Sequence, residues 1–247
     1  MVQGGQAWSS EGGDVGVLLL HGFTGNPVSM RPLGEALAAS GFAVELPLLP
    51  GHGTTWQECA RTTWQDWARE ADEALERLRV RSAAQVVAGL SMGATLTLHL
   101  AITRGDELAG IVLVNPTLHT SDPRARLLPL LRHVVRSRPG FGNDIALPGA
   151  DQRAYARVPL KPLHSLTELW ALVRADLARV KVPVLVFTSR QDHVVEPDNS
   201  TTVLAGVSST DVEQVWLERS YHVATLDYDA DLITERTVAF ARRVTAR

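Results

Sequence analysis

The chain lacks most of the features that would direct it to a membrane, a disulfide scaffold or a nucleic acid. Cys59 is the single cysteine in 247 residues, so neither an intramolecular disulfide framework nor a thiolate metal cluster is available. As a lone thiol it is expected to pack as a small apolar side chain. No apolar run approaches the roughly 20 residues of a membrane span. The longest early run is Val15–Leu20, and the segment before it has neither the basic nor the apolar stretch of a secretory leader. No integral membrane association is therefore expected, and cytoplasmic residence is the default. With 24 Lys and Arg against 27 Asp and Glu, the net charge is −3, which gives nucleic acid no basic surface to bind. No internal repeat or low-complexity tract is present.

What remains is an ordinary globular composition, 45% hydrophobic and 21% charged, at a length that suits one large α/β domain. Apolar runs of strand length alternate with helical patterns, which predicts a mainly parallel sheet flanked by helices. Val15–Leu20 is a buried strand, Pro27 opens a helix to about Ser40, and Gly41 stops it. Phe42–Leu46 is the next strand. Thr62 and Gln65 read as a capping box for a helix to about Leu78. Strands follow at 84–88, 110–116, 182–188 and 212–217, with helices near 166–179 and 229–243. Between them, residues 117–166 break the alternation with Pro123, Pro129, Pro139, Pro148, Pro159 and Pro162, yet keep Leu127, Leu128, Leu130, Leu131 and Tyr155. This reads as a small cap inserted into a single domain whose core is 1–116 and 167–247. Its leucines wall an acyl pocket or pack the cap onto the core.

The strongest motif is Gly89-Leu90-Ser91-Met92-Gly93, which follows a strand and opens a helical pattern. At such a turn the serine is exposed above the sheet, and glycine is needed where strand and helix approach too closely for a side chain. The Met92 amide, at the helix N-terminus, faces any oxyanion formed at the serine. A serine nucleophile needs a base, and the base an orienting acid. Asp192 lies just beyond the strand ending at 188, and His222 just beyond the one ending at 217, on the rim where loops of a parallel sheet converge. The competing histidines have other expected places: His21 braces a loop, His52 sits in a turn, His193 lines the pocket, His99 is helical, and His119, His133 and His164 belong to the cap. Asp227 and Asp229 are expected to cap a helix N-terminus. His21-Gly22-Phe23-Thr24-Gly25 follows the first long strand and supplies a second oxyanion donor, the Phe23 amide. It lacks the lysine of a phosphate loop and the spacing of a dinucleotide fingerprint. No metal or cofactor is required.

These residues, with Ser29–Leu33, Leu46–Thr54, Arg61–Trp67, Asp192–Val195 and Ser220–Asp229, make the chain similar to the bacterial carboxylesterase and monoacylglycerol lipase group of the α/β-hydrolases. The resemblance covers most of the chain outside the cap. It implies an α/β-hydrolase fold and a triad of Ser91, Asp192 and His222, with Phe23 and Met92 amides as oxyanion hole. It also implies a small ester or monoacylglycerol as substrate. One departure stands out: where such lipases carry an acidic residue three positions before a cap tyrosine, this chain, aligned on Tyr155, has Gln152, a neutral group still able to bond a glycerol hydroxyl. A thioesterase or acyltransferase would use the same triad. A non-catalytic receptor on this scaffold would have no need of all three residues.

Overall fold

Apolar runs buried on both faces set the architecture. The computed structural model describes residues 2–246. The chain begins with β1 (Trp8–Ser10), β2 (Val15–Leu20), a 3-10 turn at Pro27–Ser29, α1 (Arg31–Ala39) and β3 (Ala43–Leu46). It continues through α2 (Trp56–Cys59), α3 (Trp64–Arg79), β4 (Ala84–Leu90), α4 (Met92–Arg104) and β5 (Gly110–Val114). After a 3-10 turn at Pro123–Leu127 come α5 (Leu128–Val134), β6 (Ser137–Pro139) and β7 (Arg157–Pro159). The last part holds α6 (Leu160–Asp176), β8 (Val184–Ser189), α7 (Asp198–Gly206), β9 (Val212–Leu217) and α8 (Ala230–Thr245).

Among the described residues, seven strands form one sheet in the order β1-β3-β2-β4-β5-β8-β9. All neighbours are parallel except β1, which runs antiparallel to β3. Side chains of a strand alternate between faces, and β2 shows the result: Leu18 and Leu20 join the core under α3, α4 and α6, while Val17 and Leu19 join the core under α1 and α8. Glu45 sits inside the buried strand β3 and is held by Arg77 at 2.9 Å and Arg81 at 2.6 Å, as a buried charge must be paired. Cys59 is buried, and burial pushes its thiol up to about 12. No helix among the described residues is long and apolar enough to cross a membrane.

The expected mainly parallel sheet is present, with local corrections. Pro27 opens only a 3-10 turn, capped by the Asn26 side chain, and α1 proper starts at Arg31. The capping pair of α3 is Thr63 and Asp66, one residue later than expected, with the Thr63 amide donating to Asp66 at 2.9 Å. Thr62 instead donates to the Cys59 carbonyl at 2.8 Å and accepts from the Trp67 indole at 3.2 Å. The helix expected near 166 begins at Leu160, directly after Pro159, and buries Leu166, Leu169, Trp170 and Val173. The irregular segment before it holds α5 and the antiparallel pair β6–β7, in which Ser137 faces Pro159.

Candidate active site

The turn between β4 and α4 is strained for a reason visible in its packing. Ser91 has φ 57° and ψ −118°, a conformation that costs about 1–3 kcal/mol for a residue with a side chain. A Cβ on Gly89 would stand 2.2 Å from Gly93 backbone atoms, and one on Gly93 2.0 Å from the Leu20 carbonyl oxygen. Strand β4, helix α4 and the end of β2 are thus in backbone contact, and only glycine permits it. The Ser91 amide donates to Val114 at 2.9 Å, tying the turn to β5. Met92 is buried as the first residue of α4, so its amide belongs to the positive end of that helix.

Because β2 pairs with β4 in register Leu20 to Gly89, the loop after β2 lies beside Ser91. A Cβ on Gly22 would stand 3.4 Å from Ser91 Cβ. The Phe23 ring packs against His52 and Trp67, with centroids 6.0 and 5.6 Å away, which fixes the Phe23 backbone next to the serine. His21 is fully buried and braces this loop as expected. Its Nδ1–H donates to the Gly22 carbonyl at 3.0 Å and its Nε2 accepts from the Leu49 amide at 3.2 Å.

On the other side of β4, the loops after β8 and β9 bring Asp192 and His222 together. Asp192 Oδ2 accepts from His222 Nδ1 at 2.7 Å, and both side chains are almost fully buried. Asp192 Oδ1 accepts from the amides of Val194 and Val195 at 2.9 and 2.8 Å. With Nδ1 donating to a carboxylate, Nε2 of His222 is the free nitrogen. Burial pulls the His222 imidazolium down, the Asp192 carboxylate opposes it, and the net result lies above the ordinary histidine range.

Ser91 and His222 line one cavity of about 300 Å³, the lower end of ligand-pocket size. Phe23, Thr24, Gln152 and Tyr155 line it too, and Leu128, Leu131, Val135, Leu160, Leu163, Leu166 and Trp170 supply an apolar wall. Of the four leucines between 127 and 131, Leu128 and Leu131 line the cavity, one helical turn apart. Leu127 and Leu130 face outward, 54% and 73% exposed. Gln152 is fixed through its backbone, its amide donating to Asn143 at 3.1 Å and its carbonyl accepting from Asn26 at 3.2 Å. Tyr155 donates to the Gly51 carbonyl at 2.8 Å and accepts from the Thr54 amide at 2.9 Å. His193, expected in the pocket, turns away from it: its Nδ1 bonds Asp144 at 2.8 Å and its side chain is 59% exposed. Among the described residues no three metal-ligating side chains cluster.

Three further residues shape the site: Asn115, which no sequence signal singles out, and Asp227 and Asp229, whose carboxylates take a different role from the expected helix capping. Asn115, at the end of β5 with φ 44°, donates to Ser189 Oγ at 2.9 Å and the His222 carbonyl at 2.8 Å. Asp227 does not cap α8; it accepts from the amides of Ala146, Leu147, Tyr221 and Tyr228. Asp229 stands at the N-cap position of α8 as expected, but its carboxylate bonds no helix amide; it accepts from Ser220 Oγ at 2.9 Å and the Arg219 amide at 2.9 Å. The latter two carboxylates brace the His222 loop, a role that depends on contacts across the fold rather than on helix position.

The chain resembles known proteins over most of its length. Residues 14–229 match the Hydrolase_4 family, described as serine aminopeptidase, S33. The chain is 42% identical over 245 residues to a thermostable monoacylglycerol lipase of Bacillus sp. (strain H-257), covering 97% of this chain and 95% of that protein. It is 28% identical over 235 residues to a carboxylesterase of Bacillus subtilis (strain 168), covering 95% of each. A solved structure from work on LipS and LipT, two metagenome-derived lipolytic enzymes, superposes with a TM-score of 0.96 at 40% identity, covering 98% of this chain and 99% of that one. The chain belongs to the Hydrolase_4 family of the α/β-hydrolases.

Proposed function

We propose that this family member hydrolyses carboxylic esters through an acyl-enzyme on Ser91, with monoacylglycerols or short- to medium-chain acyl esters as substrates. The observation that carries this reading is Ser91 on its strained turn, in one apolar cavity with His222, whose Nδ1 is held by Asp192 at 2.7 Å. Ser91 Oγ attacks the ester carbonyl while His222 Nε2 takes its proton, and Asp192 stabilises the imidazolium formed. The carbonyl oxygen, now an oxyanion, is met by the amides of Phe23 and Met92, and such fixed donors are worth about 3–4 kcal/mol each. The imidazolium then protonates the leaving alcohol. A water enters, loses its proton to His222, and releases the acid from Ser91. The apolar wall from Leu128 to Trp170 takes the acyl chain, and Gln152 offers its amide to a head-group hydroxyl. The balanced surface charge and the buried thiol fit a cytoplasmic enzyme.

The peptidase in the family description is a second reading. An aminopeptidase must hold a substrate ammonium, and Asp122 is the one carboxylate among the lining residues. Asp122 is already taken by Arg124 in a bidentate pair, which favours esters. A panel of p-nitrophenyl esters and monoacylglycerols of graded length, beside aminoacyl p-nitroanilides and a Ser91→Ala control, decides between them. Ester turnover lost in the control supports the proposal; anilide turnover without ester turnover overturns it.

A further inference from the structure

Asp144 lies in the loop between β6 and β7, two residues after Phe141 and Gly142, which line the cavity. Its side chain is 12% exposed. Oδ2 accepts from two amides on different loops, that of His193 at 3.2 Å and that of His222 at 3.1 Å. Oδ1 bonds His193 Nδ1 at 2.8 Å, and the Asp144 carbonyl accepts from the Val223 amide at 3.1 Å. One carboxylate therefore spans the loop that carries Asp192 and the loop that carries His222. The separation of these loops sets the Asp192–His222 hydrogen bond, and a misplacement of about 1 Å in such a constellation costs on the order of a hundredfold in rate.

We infer that Asp144 is a positioning residue for His222: it locks the base loop to the acid loop and adds a second negative charge beside the His222 backbone amide. The rate half of this inference rests on the ester-hydrolase reading; the charge half does not. Around His222, Asp192 stands at Nδ1, Asp144 at the backbone amide, and Ser91 across the cavity. His193 lies edge-on to Tyr221 at 4.5 Å. Asp227 is occupied by amides, and the nearby Arg219 is paired with Asp229 at 3.1 Å. The field of Asp144 raises the affinity of His222 for its proton, in the same sense as Asp192.

Two variants separate geometry from charge. In Asp144→Asn the amide oxygen can still accept from both backbone amides, so the fold is kept and the charge is lost. The His222 imidazole titration, followed by NMR in the free protein, then moves to lower pH by about half a unit to one unit. In Asp144→Ala the tether itself is gone, and kcat for ester hydrolysis falls about 10- to 100-fold with KM nearly unchanged. A tether with no influence on the base leaves the Asp144→Asn titration in place, and that result overturns the inference. Absence of ester turnover in the wild type counts against the proposed function instead, and the titration still decides the role of Asp144.

Discussion

Acid should unfold this protein through its buried histidine pair before its carboxylates matter. His21 and His52 are 0% and 1% exposed, with ring centroids 5.1 Å apart. Both nitrogens of His21 are used by a neutral ring, one donating and one accepting. His52 donates from Nδ1 to Pro50 at 3.1 Å, and its Nε2 is buried without a partner. Burial, reinforced by the neighbouring ring, holds His21 down to about 3, and burial holds His52 down to about 4. In the unfolded chain both titrate near the ordinary value of about 6.5. The folded values are depressed, so the stabilisation from keeping both rings neutral is complete above about pH 6.5 and is lost as the pH falls toward the folded values. Well inside that window these two rings alone make the unfolded state bind two more protons, a slope of about 2.7 kcal/mol per pH unit, and His99 and His164, also held below the ordinary histidine value by burial, add to it. Between about pH 7 and pH 4.5 the loss is on the order of 5 kcal/mol, comparable to the whole stability of a marginal domain. His222 is shifted the other way; its contribution is already complete below about pH 6.5 and stays constant across the window. Urea unfolding at steps from about pH 7.5 to about pH 4.5 measures the slope. His52→Phe, which keeps an aromatic ring against Phe23 and Trp67, should lower it by about 1.4 kcal/mol per pH unit. A stability that stays flat between pH 6.5 and 4.5, or a slope that the substitution leaves unchanged, refutes the argument.

Other substitutions probe the site itself. Gly93→Ala puts a Cβ 2.0 Å from the Leu20 carbonyl oxygen; it should cost about 1–3 kcal/mol in urea unfolding and abolish turnover, because α4 must move off the sheet. Asp192→Asn leaves the packing but lets His222 settle in the wrong tautomer, and kcat should drop on the order of 10⁴-fold at nearly constant KM. A drop of less than tenfold would remove Asp192 from the proton pathway. Gln152→Glu gives the head-group end of the cavity a charged acceptor, worth about tenfold in kcat/KM for monoacylglycerols relative to p-nitrophenyl esters. An unchanged ratio takes Gln152 out of head-group recognition.

The local rules that made the site legible were steric ones. The Gly89 and Gly93 pair states in sequence that strand and helix touch, and the strand ends before Asp192 and His222 state which rim their loops share. Strand β1 was not legible, since Trp8-Ser9-Ser10 carries no apolar alternation and exists only by pairing with β3. The start of α6 was hidden by Pro162, which reads as an interruption but is accommodated in the first turn of the helix. His193 was misplaced because adjacency to Asp192 in sequence says nothing about which way its side chain turns; the partner that turns it, Asp144, is 49 residues away. Asp227 and Asp229 read as helix caps for the same reason. Their partners, the Ala146 and Leu147 amides and the Ser220 hydroxyl, are set by how the loops stack.

Trapping the covalent intermediate tests the central claim most directly. Rapid mixing with a p-nitrophenyl ester, followed by acid quench and peptide mass analysis, should give a burst of p-nitrophenol close to one equivalent per chain. The acyl group should be found on the peptide that contains Ser91, and Ser91→Ala should show neither. Steady ester turnover with no acylated Ser91 peptide, or an acyl group on a different residue, would contradict the account.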